Sequence, residues 1–467
     1  MAKKNKTVFV CQECGYESPK WLGQCICGAW NTFVEEKIPE VSLSDNRRRT
    51  GSGSEGKRVN VPSLLKSVGT GEYSRMDTGI GELNRVLGGG LVKGSLVLIS
   101  GEPGIGKSTI IMQAASNISS AGEKVLYVTG EESEEQIKMR ADRICGEISE
   151  NLYILAETNM ESIAAACETL QPGFLIIDSI QTMYTEELDS VPGSVSQVRA
   201  CGNMLMKIGK TGNVPVFIVA HVTKSGELAG PKIVEHMVDC VLNFNGERDQ
   251  ELRILRAFKN RFGTTSEIGA FRMEEEGLME IRDLSETFLD ITEEKPEGSV
   301  VSAIYEGSRP ILMEIQALTA PANVGFARRT AVGIDNQRLS MILAVLEKKV
   351  GLTMINQDVY VNVVGGIRPD STAVDLAVAL AVYSSMRGVT NEKRLLAIGE
   401  VGLTGELRAI GNVDKIVQEA SRLGYEEIIV PFRNAASVDR DKTGKCKVIG
   451  VKNIHEAIKV FREEGNG

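Results

Sequence analysis

The chain has 467 residues, 42% of them hydrophobic and 25% charged, a globular composition with room for two or three domains. Its formal net charge of −9 excludes a uniformly basic surface, so any contact with nucleic acid has to come from local basic patches. No stretch of about 18 apolar residues occurs, and the N-terminal Met-Ala-Lys-Lys-Asn-Lys-Thr-Val-Phe-Val lacks the pattern of a signal peptide; a protein without membrane contact is expected.

The first expected unit is residues 1–34. Cys11-Gln-Glu-Cys14 is followed by Cys25-Ile-Cys27. Four thiolates in two close pairs suit tetrahedral Zn²⁺. The turn residues Gly15, Gly23 and Gly28 and the aromatics Trp21 and Trp30 fit a small ribbon that needs metal to fold. The second pair is one residue shorter than the usual C-x-x-C. The other five of the nine cysteines, Cys145, Cys167, Cys201, Cys240 and Cys446, are scattered, as expected for reduced thiols in a cytoplasmic protein. Residues 35–62 read as a polar linker holding Arg47-Arg48-Arg49 and a Gly/Ser run.

Residues 63–290 read as an ATPase domain. A short helix closed by Gly88, Gly89 and Gly90 precedes an apolar strand at 96–99. Then comes Gly101-Glu102-Pro103-Gly104-Ile105-Gly106-Lys107-Ser108-Thr109, with a helix expected over 110–120. Strand, Gly-rich loop, Lys-Ser and helix form the P-loop signature, which binds ATP and Mg²⁺. Glycines let backbone N–H groups turn toward phosphate oxygens, and the helix start adds partial positive charge. Lys107 supplies a point charge for the β- and γ-phosphates, and Ser108 is a magnesium ligand.

Strand and helix patterns alternate beyond it, which implies a parallel α/β sheet. Strands are expected at 124–129, 174–178 and 214–221, with a helix at 137–144. Ligands of open α/β sheets sit at the carboxyl ends of the strands, so the polar strand ends should converge on the P-loop. Asp178 is the expected Walker B carboxylate that holds the magnesium shell. Glu131 or Glu132 is the candidate base that orients the attacking water, and His221 a candidate sensor of the γ-phosphate. Lys259 and Arg261 follow an alternating strand at 252–258, expected at the far edge of the sheet, with Gly263 turning the chain. Two such cations suit a phosphate clamp.

These residues resemble bacterial RadA-type (Sms) DNA repair proteins, relatives of the RecA recombinase. The resemblance is carried by the cysteine cluster with Lys20-Trp21 and Trp30-Asn31-Thr32, and by the P-loop. It continues through Gly130-Glu-Glu-Ser133, Ile177-Asp-Ser-Ile-Gln-Thr182, His221-Val-Thr-Lys224 and the family hallmark Lys259-Asn-Arg-Phe-Gly263. It covers essentially the whole chain and departs only at the shortened Cys25/Cys27 pair. It implies a RecA-like P-loop core and a DNA-dependent ATPase, a helicase-like motor forming hexameric rings on single-stranded and branched DNA. Such proteins extend heteroduplex by branch migration in recombination and DNA repair, together with the RecA recombinase. DNA would then contact loops at 184–197 and 223–235, the second holding Lys224 and Lys232. Lys259 and Arg261 would reach a neighbouring subunit's nucleotide.

Residues 291–467 read as a separate α+β domain. Strands are expected at 300–304, 311–318 and 359–364, an Ala-rich helix at 372–386 and a strand and turn over 395–407. Gly399-Glu-Val-Gly-Leu-Thr-Gly-Glu-Leu407 resembles a segment of the proteolytic domain of Lon proteases, which work with a Ser nucleophile and a Lys base. Matching Asp370 to that family's aspartate puts Ala373 at the nucleophile position and Asp414 at the base. No peptidase activity is expected, although Ser371 and Lys415 leave a shifted dyad open. Arg328, Arg329, Lys348, Lys349 and Arg368 are candidate DNA contacts. Two other readings stand beside the DNA-dependent ATPase: an ATP-dependent protease, and a RecA-like signalling ATPase or autokinase.

Overall fold

A computed structural model of the chain describes residues 6–11, 16–38, 74–220, 232–246, 252–285, 289, 296–322, 327–365, 368–369, 371–391, 393–439, 443–444 and 446–462. The chain divides into two compact units, Met1–Glu280 and Ile281–Gly467. Cys14, Asp370, the arginine run, His221 and Lys224 lie outside the described residues.

The N-terminal ribbon is a small antiparallel sheet. Strand β1 (Lys6–Cys11) pairs with β2 (Glu17–Ser18) on one side and β3 (Phe33–Ile38) on the other. The pairing of Lys6 with Ile38 carries the ribbon past its expected end at residue 34. Its interior is Cys11, Cys25 and Phe33, with Phe9 packed against them. Trp21 and Trp30 are 51% and 67% exposed, so neither belongs to that interior. So few apolar side chains cannot hold a fold, which leaves the thiol cluster to do it.

In the rest of the first unit, β4 (Arg75–Met76) pairs with β5 (Leu91–Val92) across α1 (Gly81–Leu87). Gly88 ends α1 in the left-handed region, φ 83°, which glycine adopts without a Cβ penalty. The main sheet holds β6 (Leu96–Gly101), β7 (Val125–Thr129), β8 (Leu152–Ala156), β9 (Phe174–Asp178), β10 (Val216–Val219), β11 (Cys240–Asn245), β12 (Leu252–Asn260), β13 (Ile268–Glu274) and β14 (Gly277–Glu280). Among the described residues their spatial order is β14-β13-β12-β11-β6-β10-β9-β7-β8. The strands from β11 to β8 in that order run parallel, and β12, β13 and β14 add an antiparallel extension.

The parallel strands are apolar on both faces because helices cover both. Val97, Ile99, Phe174 and Ile176 enter one core with Ile110, Ile111 and Ala114 of α2 (Lys107–Ser120). Leu96, Leu98, Leu175 and Ile177 enter the other with Ile163 of α4 (Met160–Leu170) and Val198, Cys201 and Leu205 of α5 (Val195–Gly212). Each fully buried Leu or Ile contributes about 1.5–3 kcal/mol, so the P-loop strand is anchored by its own flanks. The expected helix at 137–144 is longer, α3 (Glu134–Cys145), because Ser133 and Gln136 cap its start reciprocally.

The second unit has its own sheet, ordered β17-β18-β16-β15-β19-β22-β23 among the described residues. These strands are β15 (Ser299–Glu306), β16 (Arg309–Pro321), β17 (Arg329–Val332), β18 (Gln357–Val363), β19 (Leu395–Ala397), β22 (Glu427–Pro431) and β23 (Lys447–Val451). The hairpin β20 (Glu400–Val401) and β21 (Leu407–Arg408) lies apart. The expected Ala-rich helix is Asp375–Arg387, buried along its first ten residues. No described helix is long and apolar enough to cross a membrane.

Candidate nucleotide site

The loop from Gly101 to Lys107 reverses the chain between β6 and α2. Gly101, Gly104 and Gly106 have φ values of 150°, 81° and 115°. Space adds a second constraint at two of them. A Cβ on Gly101 would lie 2.9 Å from the Phe244 carbonyl oxygen, and one on Gly106 2.8 Å from the Met273 methyl. The loop therefore presents backbone rather than side chains, next to the unpaired N–H groups that open α2.

Lys107 is 4% exposed, and its Nζ donates to the carbonyls of Gly101 (2.7 Å) and Glu102 (2.9 Å). Burial pulls its ammonium down to about 8, against the pull of the Asp178, Glu131 and Glu102 carboxylates. Ser108 Oγ donates to Asp178 Oδ2 at 2.9 Å. The same oxygen accepts the Tyr127 hydroxyl at 2.6 Å. Asp178 ends β9 beside Thr129, the last residue of β7, and Gly130 N–H donates to the Asp178 carbonyl at 2.9 Å. The P-loop and two strand ends thus meet at the carboxyl edge of the sheet.

The two acids after β7 take different places. Glu131 accepts the hydroxyl of Ser179, the residue after Asp178, and its charge is felt by Lys107. Glu132 is paired with Arg140 of α3, and its backbone is bound both ways by the Thr129 hydroxyl at 3.1 Å. Glu131 faces the P-loop lysine, and Glu132 faces a helix.

Lys259 and Arg261 lie elsewhere than expected. β12 is an interior strand, with β11 on one side and β13 on the other, so the motif does not sit at the sheet edge. The antiparallel register puts Asn260 opposite Cys240, and Cys240 opposite Val97, whereas Phe244 lies opposite Gly101. The motif therefore occupies the end of the sheet away from the P-loop, separated by four strand residues, roughly 13 Å. Lys259 Nζ donates to the carbonyls of Glu235 (2.8 Å) and His236 (3.3 Å) near the end of α6 (Lys232–Met237). Arg261 Nη1 donates to Asp239 Oδ1 at 3.2 Å, with the arginine side chain 58% exposed. Gly263 makes no left-handed turn. It is small because a Cβ there would lie 3.0 Å from the Gly88 Cα. Asn260 Nδ2 donates to Val86 O (3.2 Å), and Arg75 Nη2 to Phe262 O (2.8 Å). Within the motif, Asn260 and Gly263 anchor, while Arg261 points outward.

In the ribbon, the sulfurs of Cys11, Cys25 and Cys27 lie within 4.8 Å of one another, and Cys11 and Cys27 are 3.9 Å apart. Thiolates at tetrahedral corners around zinc stand about 3.8 Å apart. The shortened pair therefore still brings both sulfurs to Cys11.

Three family matches follow this division. The AAA domain family matches residues 68–227, the rubredoxin metal binding domain residues 9–35, and the ChlI subunit of Mg-chelatase residues 317–434. The protein named DNA repair protein RadA of Bacillus subtilis (strain 168) is 50% identical over 98% of both chains. That of Halalkalibacterium halodurans is 49% identical over 98% of this chain and 99% of its own, and that of Listeria monocytogenes 47% over the same shares. The chain belongs to the RadA family. A solved KaiC-like protein, PH0186 from Pyrococcus horikoshii OT3, aligns with 45% of the chain at 20% identity and a TM-score of 0.38. This RadA-family chain combines a metal-binding ribbon, a RecA-like P-loop ATPase core and a Lon-like C-terminal domain.

In that last domain Ser371 is exposed, and its Oγ accepts the Ala373 N–H at 3.2 Å, capping one helical turn. Ala373 is 3% exposed, and both Asp414 and Lys415 face solvent at the start of helix Val413–Arg422. Two residues beyond Ala373, buried Asp375 takes Arg338 Nε at 3.0 Å and the Val401 N–H at 3.1 Å. That pair ties the helix to β20. Arg328, Arg329, Lys348, Lys349 and Arg368 are all exposed.

The sequence pattern did not single out Tyr127, Arg140, Ser179 or Asp239. Tyr127 left one signal. A tyrosine in a strand buried on both faces needs a partner for its hydroxyl.

Proposed function

We propose that this RadA-family chain is a DNA-dependent ATPase of recombination and DNA repair, extending heteroduplex on single-stranded and branched DNA as a hexameric ring in the cytoplasm with the RecA recombinase. One observation carries the ATPase reading: Lys107, Ser108, Asp178 and Glu131 meet at one edge of the sheet. The names of the full-length relatives support the role in DNA repair.

The β- and γ-phosphates of ATP sit against the backbone of Gly101, Glu102, Pro103, Gly104, Ile105, Gly106 and the start of α2. Lys107 exchanges two carbonyl partners for phosphate oxygens. Ser108 and Asp178 would hold Mg²⁺, which when bound neutralises phosphate charge. Glu131, steadied by the Ser179 hydroxyl, orients the attacking water. Glu132, already committed to Arg140, holds the loop's shape. His221 is assigned to sensing the γ-phosphate. Lys259 and Arg261 act on the nucleotide of a neighbouring subunit. Their position opposite the chain's own P-loop supports this reading.

DNA is assigned to the loops at 184–197 and 223–235 and to the exposed arginines and lysines of the C-terminal domain. Gln197 closes the first loop, donating to the carbonyls of Thr185, Leu188 and Ser190. That loop also carries Glu186, Glu187 and Asp189, so bases rather than phosphates suit it. The C-terminal domain serves as scaffold and DNA surface without peptidase activity. The ribbon holds one Zn²⁺ on Cys11, Cys14, Cys25 and Cys27. Elemental analysis of protein purified without chelator should give one zinc per chain; none would overturn that assignment.

The direct test is ATP hydrolysis with and without single-stranded DNA. Stimulation is expected. Equal rates in the presence of demonstrably bound DNA would reject DNA-dependent hydrolysis.

A further inference from the structure

We propose that Tyr127 is a positioning residue for Asp178, its hydroxyl fixing the carboxylate oxygen that faces Ser108 and the magnesium shell. The inference rests on the nucleotide site proposed above. Tyr127 lies in β7 opposite Ile176 of β9, and Asp178 is the next residue on the same face, on the diagonal that a long aromatic side chain spans. The ring is 1% exposed and packs in the core beneath α2. Only its tip is polar, and that tip donates to Asp178 Oδ2 at 2.6 Å.

The same oxygen takes Ser108 Oγ at 2.9 Å. A bound metal would take a lone pair of Ser108 Oγ and leave its O–H free to donate to the carboxylate. Asp178, 7% exposed, keeps Tyr127 as a second, buried donor and does not swing after Lys107. Arg140 and Glu132, whose charges both reach the Tyr127 phenol, form an ion pair with each other. Partners that orient metal-binding groups typically contribute about ten- to a hundredfold in metal affinity.

Tyr127→Phe removes one oxygen and keeps the ring. The measurement is equilibrium binding of a fluorescent ATP analogue to the full chain across a Mg²⁺ titration, without turnover. Nucleotide affinity in EDTA and the melting temperature are read on the same samples. The variant should bind nucleotide in EDTA within about twofold of wild type and need about tenfold more Mg²⁺ for half-maximal tightening. An unchanged Mg²⁺ midpoint, or an equal loss of affinity in EDTA, would overturn the proposal. Should Tyr127→Phe not fold, Tyr127→Met also lacks the hydroxyl, and the same shift is expected of it. If wild type itself binds no nucleotide, the P-loop reading fails instead, which is a distinct result.

Discussion

At the start of α2, Ser108 and Asp178 hydrogen-bond beside Lys107, next to a loop holding three positive-φ glycines. At the start of helix Asp375–Arg387, buried Asp375 is closed on Arg338 and on the Val401 N–H. Both helix starts carry a buried charge, yet only the first leaves it able to change partners. Lys107 holds backbone carbonyls that a phosphate can replace, and burial has already pulled its ammonium down to about 8. Asp375 has a permanent cation, and burial still raises its carboxyl above the ordinary range. A reactive site leaves part of its charge unmatched until substrate arrives, whereas a structural one matches it within the fold.

The sharpest way to break this contrast is Lys107→Ala. ATP hydrolysis should fall to background while the circular dichroism melt stays cooperative. A folded variant turning over at the wild-type rate would remove the first site from the comparison. Arg261→Ala comes next, with a loss of about a thousandfold or more if the residue stabilises transition-state charge across subunits. Its test is mixing. Rings of Lys107→Ala and Arg261→Ala subunits, each inactive alone, should regain partial activity at interfaces with both intact groups. Mixed rings that stay inactive would rule out the cross-subunit role.

A smaller effect separates the neighbouring acids. Glu131→Gln should cost about a hundredfold in turnover with ATP binding retained. Glu132→Gln should cost under about tenfold, with a lower melting temperature from the unpaired Arg140. The reverse ranking would exchange their roles. The smallest expected effect is none: Ser371→Ala should change neither ATPase rate nor peptide cleavage, which should be at background in both proteins. Cleavage that survives purification and disappears in this variant would make the second unit an active site after all.

Much of this is legible in the sequence itself. The strand at 174–178 matches β9 residue for residue, since the run from Phe174 to Ile177, buried on both faces, has to be apolar. The P-loop was legible because phosphate binding demands glycines, a lysine and a hydroxyl at fixed spacing within one continuous stretch. The ribbon's thiols declared themselves for the same local reason.

Tertiary structure alone decided matters that depend on which strands become neighbours. The strand at 252–258 could be read, but its place between β11 and β13 came from pairing between segments distant in sequence. That pairing put Lys259 and Arg261 at the far end of the sheet and gave Gly263 the task of fitting against Gly88. Glu131 and Glu132 are adjacent in the chain and were indistinguishable there. Ser179 and Arg140, brought in by another strand and by a helix, separated them. Local chemistry is written in consecutive residues, whereas the partner of each charge is set by packing that a linear pattern does not contain.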